Sequence, residues 1–231
     1  MLKRLLQRFR ISQERLIRNF CNHGGVIGEG CKFYSPETVQ LDMGKAFLIR
    51  IGSGCKITAG VTILAHDYSV SVAQNCFGYA HCLGGSAPVT IGNNCFLGMN
   101  AMILMGTVIG NNCIVGAGAV VKGTFPDNVV IGGNPARVIC TLEEYYIRRR
   151  KQALEEAVAC VKQVYHNTGR LPTWRQMGNG FGWLYNERTE ETISKTFPQP
   201  HRKQILATPS MFGSYKEFLN YACEKAEIPK K

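Results

Sequence analysis

The chain has 231 residues, 45% hydrophobic and 19% charged, a balance that belongs to folded globular proteins and excludes a disordered or fibrous one. No apolar run approaches the roughly 20 residues a membrane-spanning helix needs. The formal net charge of +11 favours partners that bear phosphate: nucleic acid, an acidic membrane surface or a polyphosphorylated cofactor.

Residues 1–25 open the chain with Leu2, Leu5, Leu6, Phe9, Leu16, Ile17 and Phe20 set among Lys3, Arg4, Arg8, Arg10, Arg15 and Arg18. This pattern predicts one or two basic amphipathic helices. The arginines surround the apolar positions instead of forming one face, so a cap over an otherwise exposed sheet edge is expected. A peripheral membrane contact through the basic N-terminus is the alternative. There is no uninterrupted apolar h-region followed by small residues, so no secretory signal is read.

Residues 26–140 carry an internal repeat. From Ile91 an aliphatic residue recurs every six positions, at Leu97, Ile103, Ile109, Val115 and Val121. Four residues after each comes a mostly small one: Cys95, Ala101, Thr107, Cys113 and Ala119. The period also runs through Ile27, Phe33 and Val39, is broken at Lys45, and resumes at Ile51, Ile57 and Ile63, with Cys31, Cys55 and Val61 in the small column. A period of six is neither that of a helix nor that of an ordinary strand; it suits a short strand plus a corner, three of which close one coil. Stacked coils then bury a continuous core, as other solenoids do. Ile63 and Ile91 are out of phase by four, which places an insertion at 67–88. Four of the ten cysteines fall in the inward column and read as compact core residues. With no C-x-x-C pair in the chain, a reduced, cytoplasmic setting is expected.

Residues 141–231 change character. The stretch from Leu142 to Arg170 predicts a long helix ending near Gly169, and a last amphipathic helix is expected over Ser214–Glu227. The segment between them holds both tryptophans, Trp174 and Trp183, and carries no chemistry-bearing motif.

The hexads resemble the hexapeptide-repeat acyltransferases. The resemblance covers Val26–Ile139 and is strongest from Val89 to Ile139. The ending PDNVVIGGNPARVI is similar to that of sugar O-acetyltransferases of the maltose, galactoside and capsular-polysaccharide type. It implies an all-β solenoid, a left-handed parallel β-helix flanked here by the helical cap and the helical C-terminal extension. The general rule for parallel crossovers would have given the right hand.

The resemblance also implies a site. The family's general base is a histidine just before an inserted loop, and His66 in VTILAHDYS matches it. The hexad phase points His66 outward, and an imidazole suits base catalysis at neutral pH. Asp67 follows directly and is a candidate to orient the ring. The donor implied is acetyl-CoA, with Gly98, Met99, Gly116, Ala117 and Gly118 along the pantetheine arm and Lys122 and Arg137 toward the phosphates. Gly98–Met99 are the matching oxyanion donors. The family's threonine–lysine pair reads Lys122–Gly123 here, shifted by one position. His81, Cys76 and Cys82 in the insertion match no zinc spacing, and no metal is expected. The γ-type carbonic anhydrases need two metal-binding histidines five positions apart, which this chain lacks. The expectation is an acetyltransferase acting on a sugar or polysaccharide-precursor hydroxyl, as a homotrimer with intersubunit sites and without nucleic acid. A serine or antibiotic acceptor, an acyl-carrier-protein donor and a non-enzymatic scaffold are the other readings.

Overall fold

The computed structural model describes residues 12–78, 84–177, 181–185, 203 and 206–230. His81 and Cys82 lie outside them. Contacts divide the chain into two units, Met1–Tyr145 and Tyr146–Lys231.

Among the described residues the first unit begins with helix α1, Gln13–Asn22. Ser12 caps it by accepting the Arg15 N–H. Leu16 and Phe20 on its inner face are buried in the same apolar cluster as the coils. Phe20 lies so close to Gly25 that a Cβ there would be 2.2 Å from the ring. The Gln13 side chain accepts the Phe33 N–H, tying the helix to the first coil.

Among the described residues fifteen short strands follow, each of two to six residues. They are β1 (Val26–Ile27), β2 (Lys32–Phe33), β3 (Gln40–Leu41), β4 (Ile49–Ile51), β5 (Lys56–Ile57), β6 (Thr62–Ile63), β7 (Val89–Ile91), β8 (Phe96–Leu97), β9 (Met102–Ile103), β10 (Val108–Ile109), β11 (Ile114–Val115), β12 (Val120–Val121), β13 (Thr124–Phe125), β14 (Val129–Gly133) and β15 (Ala136–Thr141). Consecutive strands enter three sheets in rotation: β1-β4-β7-β10-β13, β2-β5-β8-β11-β14 and β3-β6-β9-β12. Pairing between successive turns is parallel and in register, as in Ile51↔Ile91 and Leu97↔Val115. The path is therefore a three-sided coil, and each of β1 to β14 turns one or two residues into a common core. The chain leaves it through the antiparallel β14–β15 hairpin.

Corner chemistry follows the sequence. Asn94, Asn100, Asn112 and Asn128 hold positive φ, where asparagine is tolerated. Asn94 Nδ2 donates to Asn112, and Asn112 to Asn128, in an amide ladder along one corner. Gly92 is needed because a Cβ would meet the Gly110 carbonyl 2.6 Å away. Inside, Cys31, Cys55, Cys95 and Cys113 form a buried column, each thiol donating to a carbonyl of the next turn.

The first turn departs from the phase expected of it. Leu41, not Val39, pairs with Ile63, and Val39 lies over Val61 in the small column. A 3₁₀ turn at Pro36–Thr38 adds two residues, and another at Met43–Leu48 adds four. Together they make one hexad, so the regular spacing returns at Ile51 by coincidence of length.

The insertion leaves the coil after β6. Asp67 N–H donates to Gly85 O and Ala87 N–H to Ala65 O, pinching its base. Helix α2, Val70–Phe77, lies within it.

The second unit takes most of helix α3, Leu142–Thr168, then the short α4, Trp174–Met177, and α5, Tyr215–Ala226. A reciprocal Thr141–Glu144 capping box starts α3, and Gly169 at φ +67° ends it. Its own core joins Ala157, Val161, Met177, Leu184, Tyr185, Tyr215, Phe218 and Cys223. Tyr215 Oη donates to Pro172 O, satisfying the one polar atom of that ring. No described helix is long and apolar enough to cross a membrane.

Candidate active site

His66 stands where β6 gives way to the insertion, with its side chain 21% exposed. Its neighbours in sequence alternate inward, Ala65 being fully buried. The ring nitrogen Nδ1 donates to Asp42 Oδ2. Asp42 follows Leu41 directly, so the Leu41↔Ile63 register sets it one turn below Ala65 and His66. Its side chain is 2% exposed, and its other contacts are the Ala65 and Lys45 N–H groups at 3.0 and 3.2 Å. A carboxylate so deeply buried needs these donors, and they leave it one rigid orientation. Because a carboxylate only accepts, the His66 proton sits on Nδ1 and the Nε2 lone pair is left for a substrate.

Asp67 does something else. It is exposed, and its oxygens accept the Ser69 N–H at 2.7 Å and the Ser69 hydroxyl at 2.9 Å. The Ser69 bonds hold its carboxyl below the usual range, with smaller contributions from Lys122 and His66. The carboxylate on the imidazole is thus Asp42 and not Asp67, because the tight turn to Ser69 directs Asp67 away. Asp42 was missed because the sequence reading ran the hexads through Val39. Recognising Pro36 as the start of a two-residue corner extension would have moved Asp42 beside the histidine.

The matched donor-binding residues separate into two groups. Gly98 and Met99 link β8 to β9, and Gly116, Ala117 and Gly118 link β11 to β12, so the two segments stack at one corner. Gly98 fits closely, since a Cβ would be 2.5 Å from Ala117 N. Gly116 does not need to be glycine for the fold: a Cβ would meet nothing nearer than 3.5 Å. A bare backbone shelf there suits a chain-like ligand lying along the turns. The Gly98 N–H is already given to Val115 O, and the Gly118 N–H to Met99 O. Among the described residues the Met99 and Ala117 N–H groups have no acceptor. Of the Gly98–Met99 pair, the N–H left without an acceptor at this corner is that of Met99. Arg137, paired with Gly132 across the β14–β15 hairpin, is exposed beyond the same shelf.

Lys122 belongs elsewhere. It is exposed after β12, on the corner that carries His66, and its charge is felt by Asp67. His66 and the Met99 shelf thus occupy opposite ends of the β3-β6-β9-β12 sheet of one chain. Among the described residues no three His, Cys, Asp or Glu side chains converge as a metal site.

Comparison with known proteins agrees with the repeat. The family model described as the hexapeptide repeat of succinyl-transferase matches residues 49–65 and 88–122. Protein CapG of Staphylococcus aureus is 40% identical over 122 residues, which cover 53% of this chain and 69% of CapG. The chain belongs to the hexapeptide-repeat acyltransferase family. YvoF of Bacillus subtilis, whose name proposes an acetyltransferase, is 36% identical over 105 residues, 46% of this chain and 55% of YvoF. This member of the family therefore spans 55% to 69% of the length of these two relatives. Among solved structures, a hexapeptide-repeat acetyltransferase of Vibrio cholerae superposes with a TM-score of 0.45 at 20% identity, covering 61% of this chain and 88% of that one.

Proposed function

We propose that the chain transfers an acetyl group from acetyl-CoA to a hydroxyl of a sugar or polysaccharide precursor, with His66 as general base. The observation that carries this reading is the buried Asp42 carboxylate on His66 Nδ1. It fixes the tautomer, holds the ring still, and stabilises the imidazolium that forms when Nε2 takes the hydroxyl proton. The acceptor oxygen attacks the thioester carbon, and the coenzyme thiolate leaves as the tetrahedral oxyanion collapses. An unengaged backbone N–H, that of Met99, is suited to the oxyanion. Gly116, Ala117 and Gly118 would pass the pantetheine arm, the Ala117 N–H taking one of its carbonyls, and Arg137 and Lys122 would meet phosphate. The sugar class rests on the resemblance of the residues from Pro126 to Ile139.

One chain holds the base and the oxyanion donor on different corners, so a complete site in this reading joins two copies. A homotrimer of left-handed coils, as the resemblance implies, supplies such a junction three times over. A cytoplasmic setting accords with the buried thiol column.

The test combines binding with turnover. Acetyl-CoA and CoA, but not ATP, should raise the unfolding temperature of the wild type and of His66→Ala alike. At 100 times its dissociation constant a ligand contributes about 2.7 kcal/mol, a shift of several degrees. Acetyl transfer to saccharides should be lost in His66→Ala only. Absence of any CoA-dependent shift would remove the donor from this reading.

A further inference from the structure

The residue that borders His66 on its solvent side is an aromatic one that the mechanism above does not use. The Tyr68 and His66 rings are perpendicular, with centroids 4.7 Å apart and planes at 86°. Tyr68 is nevertheless 77% exposed, so at least one face of its ring is open. Helix α2 of the same insertion leaves Val72 67% and Phe77 88% exposed. An exposed aromatic ring beside a polar site offers a ligand an apolar face to lie on. The backbone on either side of Tyr68 is held by the pinched base of the insertion and by the Asp67–Ser69 turn. The ring is thus presented next to a fixed base.

We infer that Tyr68 is the stacking platform for the acceptor, and that the acceptor is a ring saccharide. This rests on the reading of His66 as the base. Only Nε2 of His66 is available, because Nδ1 is given to Asp42. A hydroxyl must come within hydrogen-bond reach of that nitrogen. A pyranose stacked through its C–H face on an aromatic ring carries its hydroxyls around its rim. With the two rings perpendicular and their centroids 4.7 Å apart, a sugar lying on the Tyr68 face has its rim beside the imidazole. Open-chain hydroxyl compounds such as serine or glycerol have no apolar face to lie on Tyr68, so the platform discriminates by shape. The tyrosine hydroxyl has no part in this; the ring does.

The experiment measures acetyl transfer to methyl pyranosides and N-acetylhexosamines on one side, and to glycerol and serine on the other. Wild type, Tyr68→Ala and Tyr68→Phe are compared, with sedimentation of each. Tyr68→Ala should raise KM for the ring acceptors about tenfold or more, with KM for acetyl-CoA and the pH profile of kcat unmoved. Tyr68→Phe should restore the ring-acceptor KM. An unchanged KM in Tyr68→Ala overturns the platform, as does a fall in kcat with a displaced pH profile, which would make Tyr68 a support for His66 only. A change in the sedimenting mass of Tyr68→Ala overturns it in favour of a subunit contact. Transfer to serine or glycerol alone, with none to any ring acceptor, overturns the saccharide class and leaves the transferase standing. Failure of acetyl-CoA to bind at all would instead sink the underlying functional reading.

Discussion

Asp42 and His66, 24 residues apart in sequence, meet because each ends the same side of the coil on successive turns. The carboxylate is shared among His66 Nδ1 and two backbone N–H groups, so it is fixed before any substrate arrives. Asp42→Asn keeps the shape but presents an amide that can donate where only an acceptor works. It should lower kcat by about 100-fold or more, with little change in KM for acetyl-CoA. Stability should fall by about 1–3 kcal/mol, since buried donors lose part of their partner. Steady-state kinetics beside thermal unfolding separates the two effects, and a wild-type kcat would remove Asp42 from the mechanism.

Gly116 offers a test of the donor shelf that leaves the fold alone. Its missing side chain has room, so Gly116→Leu should leave the unfolding temperature close to that of the wild type. The same leucine would stand on the path of the pantetheine arm, raising KM for acetyl-CoA by about tenfold or more through steric exclusion. A stable variant with unaltered KM would move the coenzyme path off this corner.

Glycine at position 92 answers to the coil instead of to a ligand. A Cβ there would press on the Gly110 carbonyl carbon and oxygen at 2.6 Å. These are backbone atoms of the next turn and have no flexible end to swing aside. Gly92→Ala should cost about 1–3 kcal/mol through overpacking. Gly84→Ala, with nothing within 4 Å of the added carbon, is the matched control and should be near neutral. Denaturant melts of both would decide it.

The thiols should divide by location. Cys21, Cys76 and Cys160 are exposed and should react with a maleimide under mildly alkaline conditions. The column Cys31, Cys55, Cys95 and Cys113 should label only as the coil unfolds. Burial hinders access to all four and opposes the thiolate, although at Cys95 the neighbouring Cys55 outweighs burial and lowers the thiol. The Cys113 thiol is raised by burial, and that of Cys31 by its neighbour Cys55 and by burial. For Cys55 the bond with Cys31 lowers it, but the bond with Cys95 and burial outweigh this, and it is pushed up to about 11. Labelling followed by mass spectrometry in native and denatured protein checks the division.

Much of the coil is legible in the chain because the repeat is local. An inward aliphatic residue, a small residue four later and a glycine or asparagine at the corner each reflect a constraint felt within one hexad. From Ile91 to Val121 nothing interrupts that rule, and the pairing follows from it directly. The ends of α3 are written just as locally, in the Thr141–Glu144 box and Gly169. His66 stands out by the same logic, as a polar residue where the period fails.

What only the tertiary structure decided is which residues the turns bring together. Two corner extensions in the first turn sum to one hexad, so a count of spacing returns to phase while the register between has moved. That displacement is why Asp42, and not the adjacent Asp67, holds the imidazole. Asp67 is spent on Ser69, a turn made within three residues, whereas the Asp42 contact depends on stacking one turn upon the next. The placement of Lys122 with His66, apart from the Met99 shelf, likewise follows from the three-fold path of the chain. A period of six tells which side chains face inward; which corners coincide in space depends on the length of every corner before them.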